Sequence, residues 1–340
     1  MTYAPKRQQL DSPPNGDAGT FLAVALLLFV LVSAAPAIAS TRVDLFPKVQ
    51  PGQNLTYVIT YRSDTQTKTR SPVALAASPG QTALNVRALL FLDILDLTTP
   101  PGKSRPGSRP SIHASAKLQS LDANSSDSAA GTAANLTPVD FTILPDGRLD
   151  KITGLDALTP GLQHAWQQWA ARFAASAAYP LGGIKSAQKW KSQEPERTPS
   201  PLAGLIWFRE STYVRNEPCR PLRMNDQGDF VNSDQPPQTC AVILVTAALK
   251  QQSKPKDATP EEYGVRQLRT SGAARGHNKT ILYLSLATGL LVRSSDEADQ
   301  SMSVTIAKAD GSNQLHYDID AKSAAQVVLV TSTSPSGKHP

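Results

Sequence analysis

The sequence predicts a mainly β protein: an antiparallel meander sheet with one aromatic-rich helix packed on it. Three observations carry this expectation. Apolar and polar residues alternate with period two at intervals from residue 55 to residue 331. Gly-containing turns separate the apolar segments of the last third. One stretch alone breaks into a helical period.

The alternation begins with Leu55, Tyr57, Ile59 and Tyr61, whose side chains share one face of a strand while Thr56, Thr60 and Arg62 take the other. Residues 86–97 form a denser apolar run that reads as a more deeply buried strand. Ile112, Ala114, Ala116 and Leu118 alternate with polar neighbours, as do Val139, Phe141 and Ile143, after which Pro145-Asp146-Gly147 supplies turn chemistry. Further strands are expected at 205–215 and 241–249. A terminal meander is expected over 264–270, 280–286, 290–294, 302–307, 315–319 and 326–331, with turns at Thr288-Gly289 and Asp310-Gly311.

The exception is Leu162, Trp166, Trp169 and Phe173, spaced four, three and four apart, which places them on one helix face. Thr159 suits the cap, Pro160 the first turn and Pro180 the stop. Trp166, Trp169 and Phe173 are expected either to pack on the sheet or to present an apolar binding face.

Residues 21–32 are an uninterrupted apolar run, preceded by Lys6 and Arg7 and followed by small residues that include Ala37 and Ala39. This is the layout of a secretory signal cleaved after Ala39. The run is short for a membrane span of about 20 residues, but extended to residue 39 it also reads as a retained anchor. Residues 1–39 are therefore a signal peptide or a membrane anchor. The expected location is outside the cytoplasm, in a periplasm or at a cell surface, with inner-membrane anchoring through 21–39 as the variant. Residues 40–331 form one elongated β-rich domain, with disordered loops near 99–110, 124–135 and 251–260 and a disordered tail at 332–340.

Cys219 and Cys240 are the two cysteines, and the residues between them are rich in Pro, Asp and Asn, with no His. An oxidising compartment would join them in a disulfide, and a metal site would lack further ligands. The formal net charge of +6 is spread along the chain without Lys/Arg clusters among aromatics, which argues against nucleic acid and leaves room for contact with anionic surfaces.

No catalytic constellation stands out. There is no Gly-x-Ser-x-Gly, no phosphate-binding glycine loop and no paired histidines, since His113, His164, His277, His316 and His339 stand singly. Asp146, Asp150 and Asp156 fit turn and cap duties better than a glycosidase pair. No cofactor is expected.

The Tyr-rich first strand, the tryptophan helix leading into Pro180-Leu181-Gly182-Gly183-Ile184 and Trp190, and the meander from Leu290-Leu291-Val292 to Val304 and Ile306 resemble uncharacterised exported bacterial β-sheet proteins. That resemblance implies an open half-barrel similar to periplasmic lipoprotein carriers, and assigns no functional residue. The leading expectation is a non-enzymatic envelope protein that binds a lipid or other apolar ligand, or another envelope protein. The alternatives are a cell-wall or glycan hydrolase with an unconventional site, and a structural or assembly factor.

Overall fold

The computed structural model describes residues 42–70, 80–99, 108–125, 137–158, 166, 179–196, 200–225 and 227–331. Among the described residues thirteen strands follow in order: β1 Asn54–Arg70, β2 Gly80–Thr98, β3 Ser111–Ser125, β4 Val139–Ile143, β5 Leu149–Thr153, β6 Lys189–Pro195, β7 Leu205–Cys219, β8 Leu222–Met224, β9 Phe230–Asn232, β10 Gln238–Gln251, β11 Leu268–Ser285, β12 Leu291–Lys308 and β13 Leu315–Val330. Helix among the described residues is slight. It comprises a 3-10 turn at Leu155–Ala157, the short α1 Glu261–Val265 and Trp166 alone from the expected aromatic helix. Trp169 and Phe173 lie outside the described residues.

The strands form one sheet in the order β5-β4-β3-β2-β1-β13-β12-β11-β10-β7-β6, antiparallel throughout this path. The first and last long strands therefore pair in the middle, with Tyr61 opposite Ala325 and Ile59 opposite Val327. The two edges, β5 and β6, are consecutive in the chain, and no pairing among the described residues joins them into a closed barrel. The β8–β9 hairpin lies off the path and touches β13 through one parallel bridge, Val330 to Leu222.

Several expected strands turn out to be halves of longer ones. Segments 280–286 and 268–270 belong to β11, 290–294 and 302–307 meet in β12, and 315–319 and 326–331 meet in β13. The apparent gaps hold Gly276, Asn278, Asp296, Ala298, Ala321 and Ser323 at the inward positions. The backbone ladder runs through them regardless, because its hydrogen bonds do not depend on the side chains. Residues 264–267 are not strand: Gly264 and Val265 finish α1, and Gln267 takes a positive φ of 57° before β11 starts.

Two stretches expected to be disordered carry defined contacts. In 251–260 the backbone is held by Ala258 N–H to Thr270 O (3.2 Å), Ala203 N–H to Ala258 O (2.8 Å) and Gly272 N–H to Pro255 O (2.7 Å), and Ala258 is fully buried. At the end of 99–110, Arg109 is buried and bonded on three sides. In both cases distant backbone carbonyls supply what local composition lacks.

Two expectations are corrected outright. No helix among the described residues is long and apolar enough to cross a membrane. That finding overturns the expected transmembrane helix and inner-membrane anchoring, and leaves the exported, periplasmic or cell-surface location without support. The segment itself, 21–39, with Ala37 and Ala39, lies outside the described residues.

Candidate ligand cavity

Along β1, Leu55, Tyr57, Ile59 and Tyr61 point to one side of the sheet, as the period of two requires. The same side receives Val86, Ala88, Leu92 and Ile94 of β2, Ile112 and Leu118 of β3, and Ile143 of β4. From the other direction it receives Ala325 and Val327 of β13, Leu291 of β12, and Leu282 and Leu284 of β11. All line one cavity. These seven strands, β4-β3-β2-β1-β13-β12-β11, are neighbours in the sheet. Laid flat they would span about 29 Å at the usual strand spacing, so side chains at both ends can share a cavity only because the sheet curls around it.

The cavity has a volume of about 120 Å³. One end is closed by two segments lying across the strand ends. Residues 42–53 run from Val43, paired with Ile184 (2.8 and 2.9 Å), past Lys48, whose N–H reaches Thr288 O (2.7 Å), to Gly52 and Gln53, which bond the backbone of Ile94. Tyr179 joins from the second segment, donating its N–H to Asp146 O at 2.8 Å. Pro47, Val49, Gly147, Tyr179 and Gly289 form the floor. Gly289 has φ of +69°, and a Cβ there would stand 2.2 Å from Phe46 O, so the strap can cross the β11–β12 turn only over a glycine.

The upper limit is one transverse row set by strand register: Val86, Tyr61, Ala325, Asp296 and Thr280 oppose one another in turn across β2, β1, β13, β12 and β11. All five line the cavity. Asp296 is 7 % exposed, and its Oδ2 accepts from Asn278 Nδ2 (2.5 Å) and Thr280 Oγ1 (2.7 Å). With Ser294 these groups make a polar corner in an otherwise apolar wall. Sequence reading missed this corner, although a carboxylate at an inward position of a strand was the signal.

Two phenols sit below that row. Tyr57 and Tyr179 are 6 % and 7 % exposed and both line the cavity. Burial pushes the Tyr57 hydroxyl well above its ordinary pKa. It does the same to Tyr179, against a smaller opposing pull from the Arg109 charge. Neither hydroxyl has a hydrogen-bond partner among the described residues. Tyr213, by contrast, donates its hydroxyl to Asn216 Oδ1 at 2.5 Å.

Of the residues singled out in the sequence, Trp166 is 1 % exposed and belongs to the same apolar cluster as the cavity walls. Cys219 and Cys240 are bonded to each other, with Cα atoms 5.8 Å apart, and tie the end of β7 to the start of β10 on the opposite face of the sheet. They do not touch the cavity. Among the described residues no group of three His, Cys, Asp or Glu side chains could hold a metal ion.

One constellation on the outward face has the residue types of a nucleophilic triad. Thr305 Oγ1 lies 3.1 Å from His316 Nδ1, and His316 Nε2 lies 3.2 Å from Asp318 Oδ1. Ser303 donates to the same Asp318 oxygen at 3.0 Å, the largest of the influences that hold this carboxyl below its ordinary pKa. Both strands are central in the sheet and their N–H groups are spent in ladders on either side. Among the described residues no backbone donor is left there to stabilise an oxyanion.

No protein-family model matches this chain, and no curated protein does. Several solved structures show distant likeness, two of them as follows. One is lipovitellin, in a structure concerned with lipid–protein interactions. Its TM-score is 0.40 at 12 % identity, and the match covers 86 % of this chain and 26 % of that one. The present chain thus spans about a quarter of the lipovitellin chain. The other structure concerns the asymmetric conductivity of engineered proteins, with a TM-score of 0.21 at 10 % identity, covering 79 % of this chain and 99 % of that one.

Proposed function

We propose that this chain is a non-enzymatic binding protein whose curled sheet takes up the acyl chain of a lipid. The observation that carries the reading is the convergence of aliphatic side chains from seven neighbouring strands on one cavity, closed at one end by residues 42–53. The Leu and Ile side chains that line the cavity are themselves largely buried, and the space left between them offers water few hydrogen-bond partners, so it favours an apolar occupant. The few convergent polar groups, Tyr57, Tyr179, Ser294 and Asp296, match the usual make-up of a small-molecule site.

A hydrolase reading draws on Thr305, His316 and Asp318 alone, and the lack of oxyanion donors weighs against it. A purely structural role leaves the cavity without a purpose.

The test is to purify the full chain, extract it with organic solvent and analyse the extract by mass spectrometry. The reading expects acyl-chain compounds at close to one per protein. An extract with no acyl compound, from a protein that also takes none up when incubated with fatty acyl methyl esters, defeats it.

A further inference from the structure

The two phenol hydroxyls at the cavity say more about the occupant than that it is apolar. This inference rests on the acyl-chain reading above and narrows it. Tyr57 is on β1 and Tyr179 on the segment that closes the floor, and both line the cavity while more than nine-tenths buried. A phenol O–H usually finds an acceptor when buried, because leaving it unmet costs about as much as a lost hydrogen bond. Among the described residues neither hydroxyl has one. For comparison, Trp207 donates to Glu196 Oε2 at 2.7 Å and Tyr213 to Asn216. Neither oxygen is sealed within the protein, so water or whatever else fills the cavity can supply the acceptor.

The lining also limits the charge of that acceptor. No Lys or Arg lines the cavity among the described residues, whereas Asp296 does. Arg109, near enough to Tyr179 to act on it electrostatically, is taken up by Asp44 and by the carbonyls of Pro145 and Pro180. A carboxylate head would enter an apolar space with no cation to meet it and a carboxylate in the wall, at a cost of several kcal/mol. An uncharged carbonyl meets the phenols without that cost. Position matters as well: Tyr179 belongs to the floor and Tyr57 lies below the Tyr61 row, so the carbonyl enters first and the chain trails toward the mouth.

We infer that the cavity binds single-chain acyl compounds with a small, uncharged carbonyl head, inserted head-first so that the carbonyl oxygen accepts from Tyr57 and Tyr179.

The experiment uses the full chain loaded with the fluorescent apolar probe N-phenyl-1-naphthylamine and titrated with methyl decanoate, decanoate or undecane. The expected result is displacement by the ester at concentrations about tenfold lower than by the alkane, as one or two neutral hydrogen bonds provide, with decanoate weaker than the ester. In the Tyr57→Phe and Tyr179→Phe double variant the ester should lose its advantage while the alkane is unaffected. Equal displacement by ester and alkane in the wild type overturns the inference and leaves the acyl-chain reading standing, as does an ester advantage that survives in the double variant. Failure of the probe and all three competitors to bind overturns both. Infrared spectroscopy of carbonyl-labelled methyl decanoate bound to the unaltered protein gives a second readout independent of the variants' folding. The band should fall below its position in hexane, and an unshifted band overturns the inference.

Discussion

The guanidinium of Arg109 holds Asp44 at 2.6 Å through Nη2, and the same group donates to the carbonyls of Pro145 (3.2 Å) and Pro180 (3.1 Å) while lying over the Phe46 ring at 5.3 Å. One side chain thus fastens three separate pieces of the cavity floor: the strap, the β4–β5 turn and the segment before β6. The pair is lopsided, with the Arg109 side chain 5 % exposed and that of Asp44 51 % exposed. Removing Asp44 therefore strands a buried cation, whereas removing Arg109 strands two carbonyls.

Asp44→Ala is expected to destabilise the protein by about 1.5–3 kcal/mol, the range for a hydrogen bond to a charged group. Arg109→Lys should fare little better, because an ammonium cannot reproduce the fork that reaches three acceptors. Urea unfolding of both variants checks this. A change within 0.5 kcal/mol, on the order of a typical surface substitution, would mean that the floor holds without the clamp.

Trp166 is fully enclosed in the cluster that includes Leu45, Tyr179 and Ile184. Trp166→Ala is expected to cost about 3–5 kcal/mol, the range for emptying a large aromatic site. A melting temperature equal to that of the parent would place this ring outside the core.

The disulfide closes a loop between residues 21 apart. Its removal in Cys219→Ser with Cys240→Ser is expected to lower stability by about 3 kcal/mol on the loop-entropy account. The bond lies on the face opposite the cavity, so displacement of the apolar probe should be unchanged below the melting point. Lost binding with stability preserved would contradict this separation of the two faces.

How much of this was legible in the sequence depended on whether one residue's neighbours in the chain are also its neighbours in space. The strand Val139–Ile143 could be read to its ends, because its alternation and the following turn are both local. The face formed by Leu55, Tyr57, Ile59 and Tyr61 was equally plain. By contrast, the strap of residues 42–53 has no periodicity. It is held by Ile184, Thr288 and Ile94, which no local pattern links to it. Asp296 and Asn278 broke the apolar rhythm and so split β11 and β12 into fragments, although these polar residues satisfy each other across the ladder. The curl of the sheet leaves no local signal, since it is a property of seven strands together, and it was expected only through the resemblance to half-barrel proteins.

Tyr57 and Tyr179 hold their protons in the folded protein above the pH at which an unfolded tyrosine loses its own, because burial raises both. The folded state then binds more protons than the unfolded one at alkaline pH, so stability falls as pH rises past the unfolded tyrosine value of about 10. Below that pH these two groups leave stability flat. Absorbance at 295 nm during an alkaline titration should show two tyrosines ionising only as the protein unfolds. If all of them ionise together in folded protein, neither phenol is shielded.

If the curled sheet holds an acyl chain, a bulky side chain at the mouth should keep that chain out. Ala325 lies in the row that bounds the cavity, opposite Tyr61 and Asp296, so Ala325→Phe places a ring across the opening without touching the floor. The measurement is binding of N-phenyl-1-naphthylamine to the full chain before and after this substitution, with the circular dichroism spectrum as the check on folding. The parent should bind one probe with enhanced, blue-shifted emission, and the variant, folded alike, should lose at least about tenfold in affinity, as a lost contact worth 1.4 kcal/mol would give. Unaltered binding in a folded Ala325→Phe protein would contradict the acyl-chain reading.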